Sequence, residues 1–149
     1  MIKQSLIEFF ERDLKKIKQE ISLYKQESTL WIVKGDINNS SGNLCLHLTG
    51  NLLHFIGATL GNTGYVRNRD SEFAAKNIQR EMLIAEIDAT IVVVTATLKN
   101  LPDSDLDKIF PLEKHGRSVT TENMLLHLLA HLSYHIGQIN YHRRLIEAS

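Results

Sequence analysis

"HLLAHLSYHIGQINYH", residues 127–142, gathers four of the chain's seven histidines into one stretch. Read as a helix at about 100° per residue, His127, His131 and His135 step by about 40° each, and His142 falls between the last two. All four share one face. With His131 as the origin, Met124, Leu128, Ile139 and Ile146 lie between about 20° and 80°, which puts His131, His135 and His142 inside the buried arc and His127 at its edge. Burying an imidazole without a partner is costly, and neighbouring imidazoles suppress each other's protonation, so an inward group needs hydrogen bonds or a metal.

For an inward pair a metal is the economical answer, although histidines on helices are usually solvated or singly hydrogen-bonded and an i, i+4 pair without HExxH does not decide between the two. Residues at i and i+4 bring two imidazole nitrogens to one side of a helix, within reach of an ion whose Zn–N bonds are about 2.0–2.1 Å. His131 and His135 meet that condition. His127 cannot join His135, because about 12 Å of axis separates them. A third ligand has to come from another helix, and the stretch "NLCLHLTGNLLHFIGATLG", 43–61, offers His47 and His54. These lie on nearly one stripe but about 10.5 Å apart, so only one can complete a site, and geometry alone does not choose between them. A di-metal carboxylate bundle is excluded, since no glutamate stands three residues before any histidine. Cys45 projects about 200° away from His47 and reads as a small core residue. His115, in the polar "LEKHGRS", reads as a surface histidine.

Around these stretches the chain reads as helices. Phe10, Leu14, Ile17, Ile21 and Tyr24 recur at helical spacing and predict a helix over 2–26. "GDINNSSG", 35–42, predicts a start near Ser40 or Ser41 for the second, which Gly61, Asn62 and Gly64 end. "YVRNRDSEFAAKN" follows as a polar connection with room for a helical turn, and Asn77 is the expected cap of helix three. Within that helix "TIVVVTAT" favours a strand on propensity, but Leu83, Ile87, Ile91, Val94 and Leu98 keep helical period over two dozen residues. Pro102 closes it, the excursion from 103 to 121 has room for a short hairpin, and Thr120 or Thr121 caps the last helix. The expectation is an all-α antiparallel four-helix bundle with long crossover connections, forming a single domain over 1–149.

Composition narrows the partners. The 149 residues hold 17 Lys and Arg against 17 Asp and Glu, so no net field recruits nucleic acid or an acidic membrane. One cysteine excludes an internal disulfide framework. No apolar run approaches the roughly 20 residues of a membrane span, and "MIKQSLIEFFERDLKK" interrupts its apolar residues with charge, unlike a secretory signal. The expected setting is cytoplasmic and the expected partner a small-molecule substrate. Apolar residues such as Phe9 with Leu6, and Leu53 with Leu46 and Leu60, predict more hydrophobic stripe than one core consumes, hence a homodimer.

The histidine in "NLCLHLTGNL" and the pair in "HLSYHIGQI" resemble the DinB/YfiT-like superfamily. The resemblance is closest to an uncharacterised branch in which GNL follows the first histidine and an RNRDxEF-like stretch follows helix two, here "RNRDSEF", 67–73. It runs through the whole chain in order, and H-x-x-x-H-x-G-Q is its most specific part. It implies a four-helix bundle holding one divalent ion, zinc or nickel, on three histidines, with the remaining positions open to water. Carried over residue by residue, the ligands are His47, His131 and His135. Relatives of this kind include enzymes that use mycothiol, bacillithiol or glutathione, so the implied function is a metal-dependent enzyme, a thiol-dependent S-transferase or a hydrolase, with a low-molecular-weight thiol as a further cofactor. The competing expectation is a non-catalytic, metal-stabilised, stress-associated or dimeric binding protein.

Neighbouring residues carry weaker expectations. His54 and His127 are candidates to support the ligands or relay protons, against the plainer reading of helix-surface histidines. Gln138 is expected to touch a ligand or a neighbouring backbone. Gly137 is expected to permit close helix packing. Arg67 and Arg69 are either an anion clamp or, the favoured reading, a local salt-bridge cluster with Asp70 and Glu72.

Overall fold

The periodic apolar residues fold into five α-helices in the computed structural model, which describes residues 2–148, and among these residues there is no β-strand. Helix α1, Ile2–Leu23, buries Phe10, Leu14, Ile17 and Ile21 completely. It stops short of the expected 26 for a tertiary reason: the N–H groups of Lys25 and Gln26 donate to the Glu147 carboxylate rather than continuing the helical ladder. A 3₁₀ turn at Glu27–Trp31 follows, with the Thr29 hydroxyl on that same carboxylate.

Helix α2, Ser41–Leu52, starts as expected, with the Ser40 hydroxyl accepting from the Asn43 N–H at 3.2 Å. It continues through a π-helical turn, Leu53–Ala58, and a last α-turn, Thr59–Gly61, before Asn62 takes the left-handed conformation at φ 51°. Period alone gives no sign of the π turn. Helix α3, Arg69–Ala74, is the helical turn of the polar connection, capped by the Asn68 side chain.

Helix α4, Arg80–Asn100, departs from the expected cap. Asn77 is left-handed at φ 57°, and the first helical N–H, that of Arg80, is satisfied by Glu27 reaching over from the 3₁₀ turn. Period overrides propensity in "TIVVVTAT": Thr90 and Thr95 donate their hydroxyls back to the carbonyls of Glu86 and Ile91, both at 2.7 Å, as helical threonines do. After Pro102 and a 3₁₀ turn at Asp103–Asp107, antiparallel bridges Ile109–Thr120 and Lys114–Arg117 make the expected hairpin-like excursion without a strand. Helix α5, Thr121–Ile146, opens on the Thr120 hydroxyl.

Helix α1 packs on α4 and α5, while α2 packs on α3, α4 and α5. The α2–α5 contact brings the two histidine stretches face to face, and α3 lies against α2 beside them. The stripe assigned to a dimer is partly used up within the chain. Leu6 is buried, Leu46 and Leu60 pack against the core, and Phe9 is exposed beneath the Arg12 guanidinium. The stretch Ser41–Gly61 does reach the length and hydropathy of a membrane span, contrary to expectation, at a mean of 1.2. With 56% of it buried against the rest of the chain it behaves as a core helix, which is consistent with a soluble protein.

Candidate metal centre

His47 on α2 and His131 and His135 on α5 meet with one ring nitrogen of each within 4.8 Å of the others. His131 Nε2 lies 3.1 Å from His47 Nε2 and 3.2 Å from His135 Nε2. Two nitrogens bound to one tetrahedral zinc at 2.0–2.1 Å would stand about 3.3 Å apart, so the spacing suits a shared ion.

The protons lead to the same conclusion. His47 Nδ1 faces Glu72 Oε1 at 3.1 Å, nearer than an Arg67 terminal nitrogen at 3.4 Å; the carboxylate can only accept, so on the shorter contact Nδ1 carries the hydrogen and Nε2 is a bare lone pair. His135 Nδ1 faces Gln138 Oε1 at 2.6 Å, and with that oxygen accepting, Nδ1 carries the hydrogen and His135 Nε2 is bare too. Both lone pairs point at His131 Nε2. A single N–H on His131 could serve only one of them well, and His131 Nδ1 is buried with no partner at all. Burial, then His135 and His47, depresses the His131 pKa to about 4, and burial also depresses that of His47. Burial thus favours neutral His47 and His131 rings, whose lone pairs can coordinate a cation. This donor set fits a divalent ion.

Glu72 is what the sequence reading undervalued. The favoured salt bridge exists, but with Arg67 alone: Arg67 Nε and a terminal nitrogen hold the two Glu72 oxygens at 2.9 and 3.0 Å. The same carboxylate orients His47, which makes the pair part of the centre. Arg69 instead lies over the Phe73 ring, 5.2 Å from its centroid. Glu72 can approach α2 because residue 50 is glycine, since a Cβ there would stand 2.0 Å from Glu72 Oε2. Thus the G of "GNL" leaves room for the E of "RNRDSEF". No spacing rule links His47 to Glu72, 25 residues further on; the two quoted motifs were the available signal.

The other expectations divide. Gln138 touches a proposed ligand, His135. His127 lies with His131 on the wall of a cavity of about 310 Å³, its ring 5.8 Å from that of His115. His54 does not join the cluster; it stacks edge-on against Phe55 at 4.7 Å. His142 is buried but bonded elsewhere, to Tyr24 and Ile32. Cys45 is a core residue whose thiol pKa is pushed up by burial. Gly137 does not serve close packing, because a Cβ there would meet nothing within 4 Å. Asn51, one turn beyond His47 on the same face, was missed, although the i, i+4 test that singled out His131 and His135 would have found it. A larger cavity of about 470 Å³, between the end of α2 and α4, has no histidine on its walls.

The model of one family, described as a protein of unknown function (DUF1572), matches residues 2–149. No curated protein matches the chain.

Proposed function

The chain belongs to the DUF1572 family, within the DinB/YfiT-like superfamily, and on that premise we propose that it is a metal-dependent enzyme holding one divalent ion, zinc or nickel, on His47, His131 and His135. The observation that carries this reading is the convergence of three Nε2 atoms, two of them lone pairs fixed by Glu72 and Gln138. The packing of α1 and α2 on α4 and α5 supports an antiparallel four-helix bundle as the scaffold.

An ion on three neutral imidazoles keeps its full charge and lowers the pKa of a bound water or thiol toward neutrality. The protein's own contribution is orientation. Arg67 fixes Glu72, Glu72 holds the His47 tautomer, Gln138 holds that of His135, and the cavity beside His47 and His131 admits a reactant. A thiol-dependent transfer to an electrophile is the reaction we infer, supported by the superfamily's thiol-using members and by the site's open side.

Elemental analysis of zinc- or nickel-loaded protein should approach one ion per chain. His47→Ala should abolish tight binding, while His54→Ala should keep the stoichiometry. Two ions per chain, or loss on removing His54 instead, would overturn the assignment.

A further inference from the structure

The cavity of about 310 Å³ beside the histidines lies at the small end of the 300–1,000 Å³ typical of ligand pockets. Its walls are unevenly charged. The Arg67 guanidinium is committed to Glu72. Two further cations line the cavity with no carboxylate against them among the described residues: Arg69 rests on the Phe73 ring, and the Lys114 ammonium donates to the neutral Asn123 carboxamide at 2.9 Å. Glu113 is the lone carboxylate among the lining residues, so the rim is left net positive. Between rim and histidines the wall is apolar, made by Phe55, Met124 and Leu128.

Asn51 marks the inner end. It lines the cavity and is 8% exposed, yet its carboxamide oxygen is buried without a hydrogen-bond partner. Buried polar atoms are rarely left so, and an unmet acceptor at the wall of a cavity is met by what the cavity binds.

We propose that this cavity binds a small carboxylate-bearing molecule with an apolar body and a hydroxyl or N–H at its far end. The carboxylate sits at Arg69 and Lys114, the body lies against Phe55, Met124 and Leu128, and the far donor satisfies Asn51 beside the histidines. The inference deepens the metal reading, on which it rests only for what the bound molecule meets at its inner end.

The test is calorimetric titration of the full chain, metal-free and zinc-loaded, with 3-(4-hydroxyphenyl)propionate, its amide, and 3-phenylpropionate. The acid should bind about tenfold more tightly than its amide in both forms, since a charge-assisted contact is worth that much. Arg69→Ala combined with Lys114→Ala, an exposed and a half-buried residue of the rim, should bring the acid down to the amide's affinity while leaving the amide unchanged. Asn51→Ala should erase the advantage of the hydroxylated acid over 3-phenylpropionate. Acid and amide binding alike, neither binding, or a preference that survives the double variant would overturn the proposal. Zinc content measured on the same samples separates the two readings. One zinc per chain without acid preference defeats this inference alone; acid preference without zinc defeats the metal assignment alone.

Discussion

His131 and His142 stand about three turns apart on α5, and burial lowers the pKa of both. Their protons are handled in opposite ways. His142 Nε2 donates to the Ile32 carbonyl at 2.8 Å, and its Nδ1 accepts from Tyr24 Oη at 2.7 Å. Tyr24 Oη also stands 2.6 Å from Ser41 Oγ and 3.3 Å from the Ile139 carbonyl. Every hydrogen in that cluster has an acceptor. Around His131 the count fails: two lone pairs converge on one nitrogen, and its other nitrogen has no partner. A buried histidine whose hydrogen bonds close belongs to the framework, whereas a group whose bonds do not close among the protein's own atoms is the candidate for a site.

Exchanging the two by mutation is the strongest way to break this contrast. His131→Ala should eliminate tight ion binding yet leave the metal-free thermal midpoint nearly unchanged, because it removes an unsatisfied group. His142→Ala should keep one ion per chain but leave the Ile32 carbonyl without its donor and Tyr24 without one of its partners, at a cost of about 1–3 kcal/mol, or roughly 3–10 °C in a chain of this length. Elemental analysis and thermal unfolding of both variants read the two effects separately. If His142→Ala lost the ion, or His131→Ala lost the stability, the division would be wrong.

A subtler test concerns how His47 is held. Glu72→Gln replaces the charged acceptor on His47 Nδ1, and losses of about 10–100-fold in ion affinity are usual for such partners. Gly50→Ala should act through the same carboxylate, since its Cβ would stand 2.0 Å from Glu72 Oε2 and displace it. Competition against a chelator should show both weakened with stoichiometry intact. A Gly50→Ala protein that is less stable but equally avid would mean that Glu72 does not tune the site.

These residues mark how far the sequence could be read. Helical period located the long helices and the shared face of His131 and His135, because both follow from local geometry. It even held through "TIVVVTAT", where core burial of Thr90 and Val94 outweighs β-branched propensity. What depends on tertiary approach stayed hidden. His47 and His54 were equivalent by spacing until α2 was seen packed on α5, with His54 in the π turn against Phe55. Glu72 looked like a surface partner for Arg67 because nothing local announces that α3 lies on α2. Asn77 looked like a cap because Glu27, 53 residues before the N–H it meets, could not be anticipated.

The two histidine clusters should also differ in acid. The folded pKa of His142 lies below the unfolded value of about 6.5, so the unfolded chain takes up the proton first. The stability contributed by neutral His142 is therefore complete above pH of about 6.5 and is lost as pH falls below it, by at most about 1.4 kcal/mol per pH unit. Tyr24, whose pKa is raised by burial, stays neutral across this window, and Glu147 is the nearby carboxylate opposing the shift. Metal-free His142→Gln should show a shallower loss of urea stability between pH 6.5 and 5 than the metal-free parent. Because His47 and His131 titrate in both proteins, the difference isolates His142. Equal slopes would show that its burial is not what keeps it neutral.

The smallest expected effect falls between the two clusters. Gly137 follows His135 by two residues and precedes His142 by five, in mid-helix, where a glycine is less stable than alanine by about 0.5–1 kcal/mol. A Cβ there meets nothing within 4 Å, so packing offers no reason for the glycine. Gly137→Ala should raise the urea midpoint by that modest amount, with ion affinity unchanged, if α5 carries both clusters as one rigid rod. If Gly137 instead lets the His135 end move relative to the His142 end, alanine should stiffen the joint and shift ion affinity as well. Stability rising alone leaves the clusters independent; stability and affinity moving together would tie the framework histidine to the site.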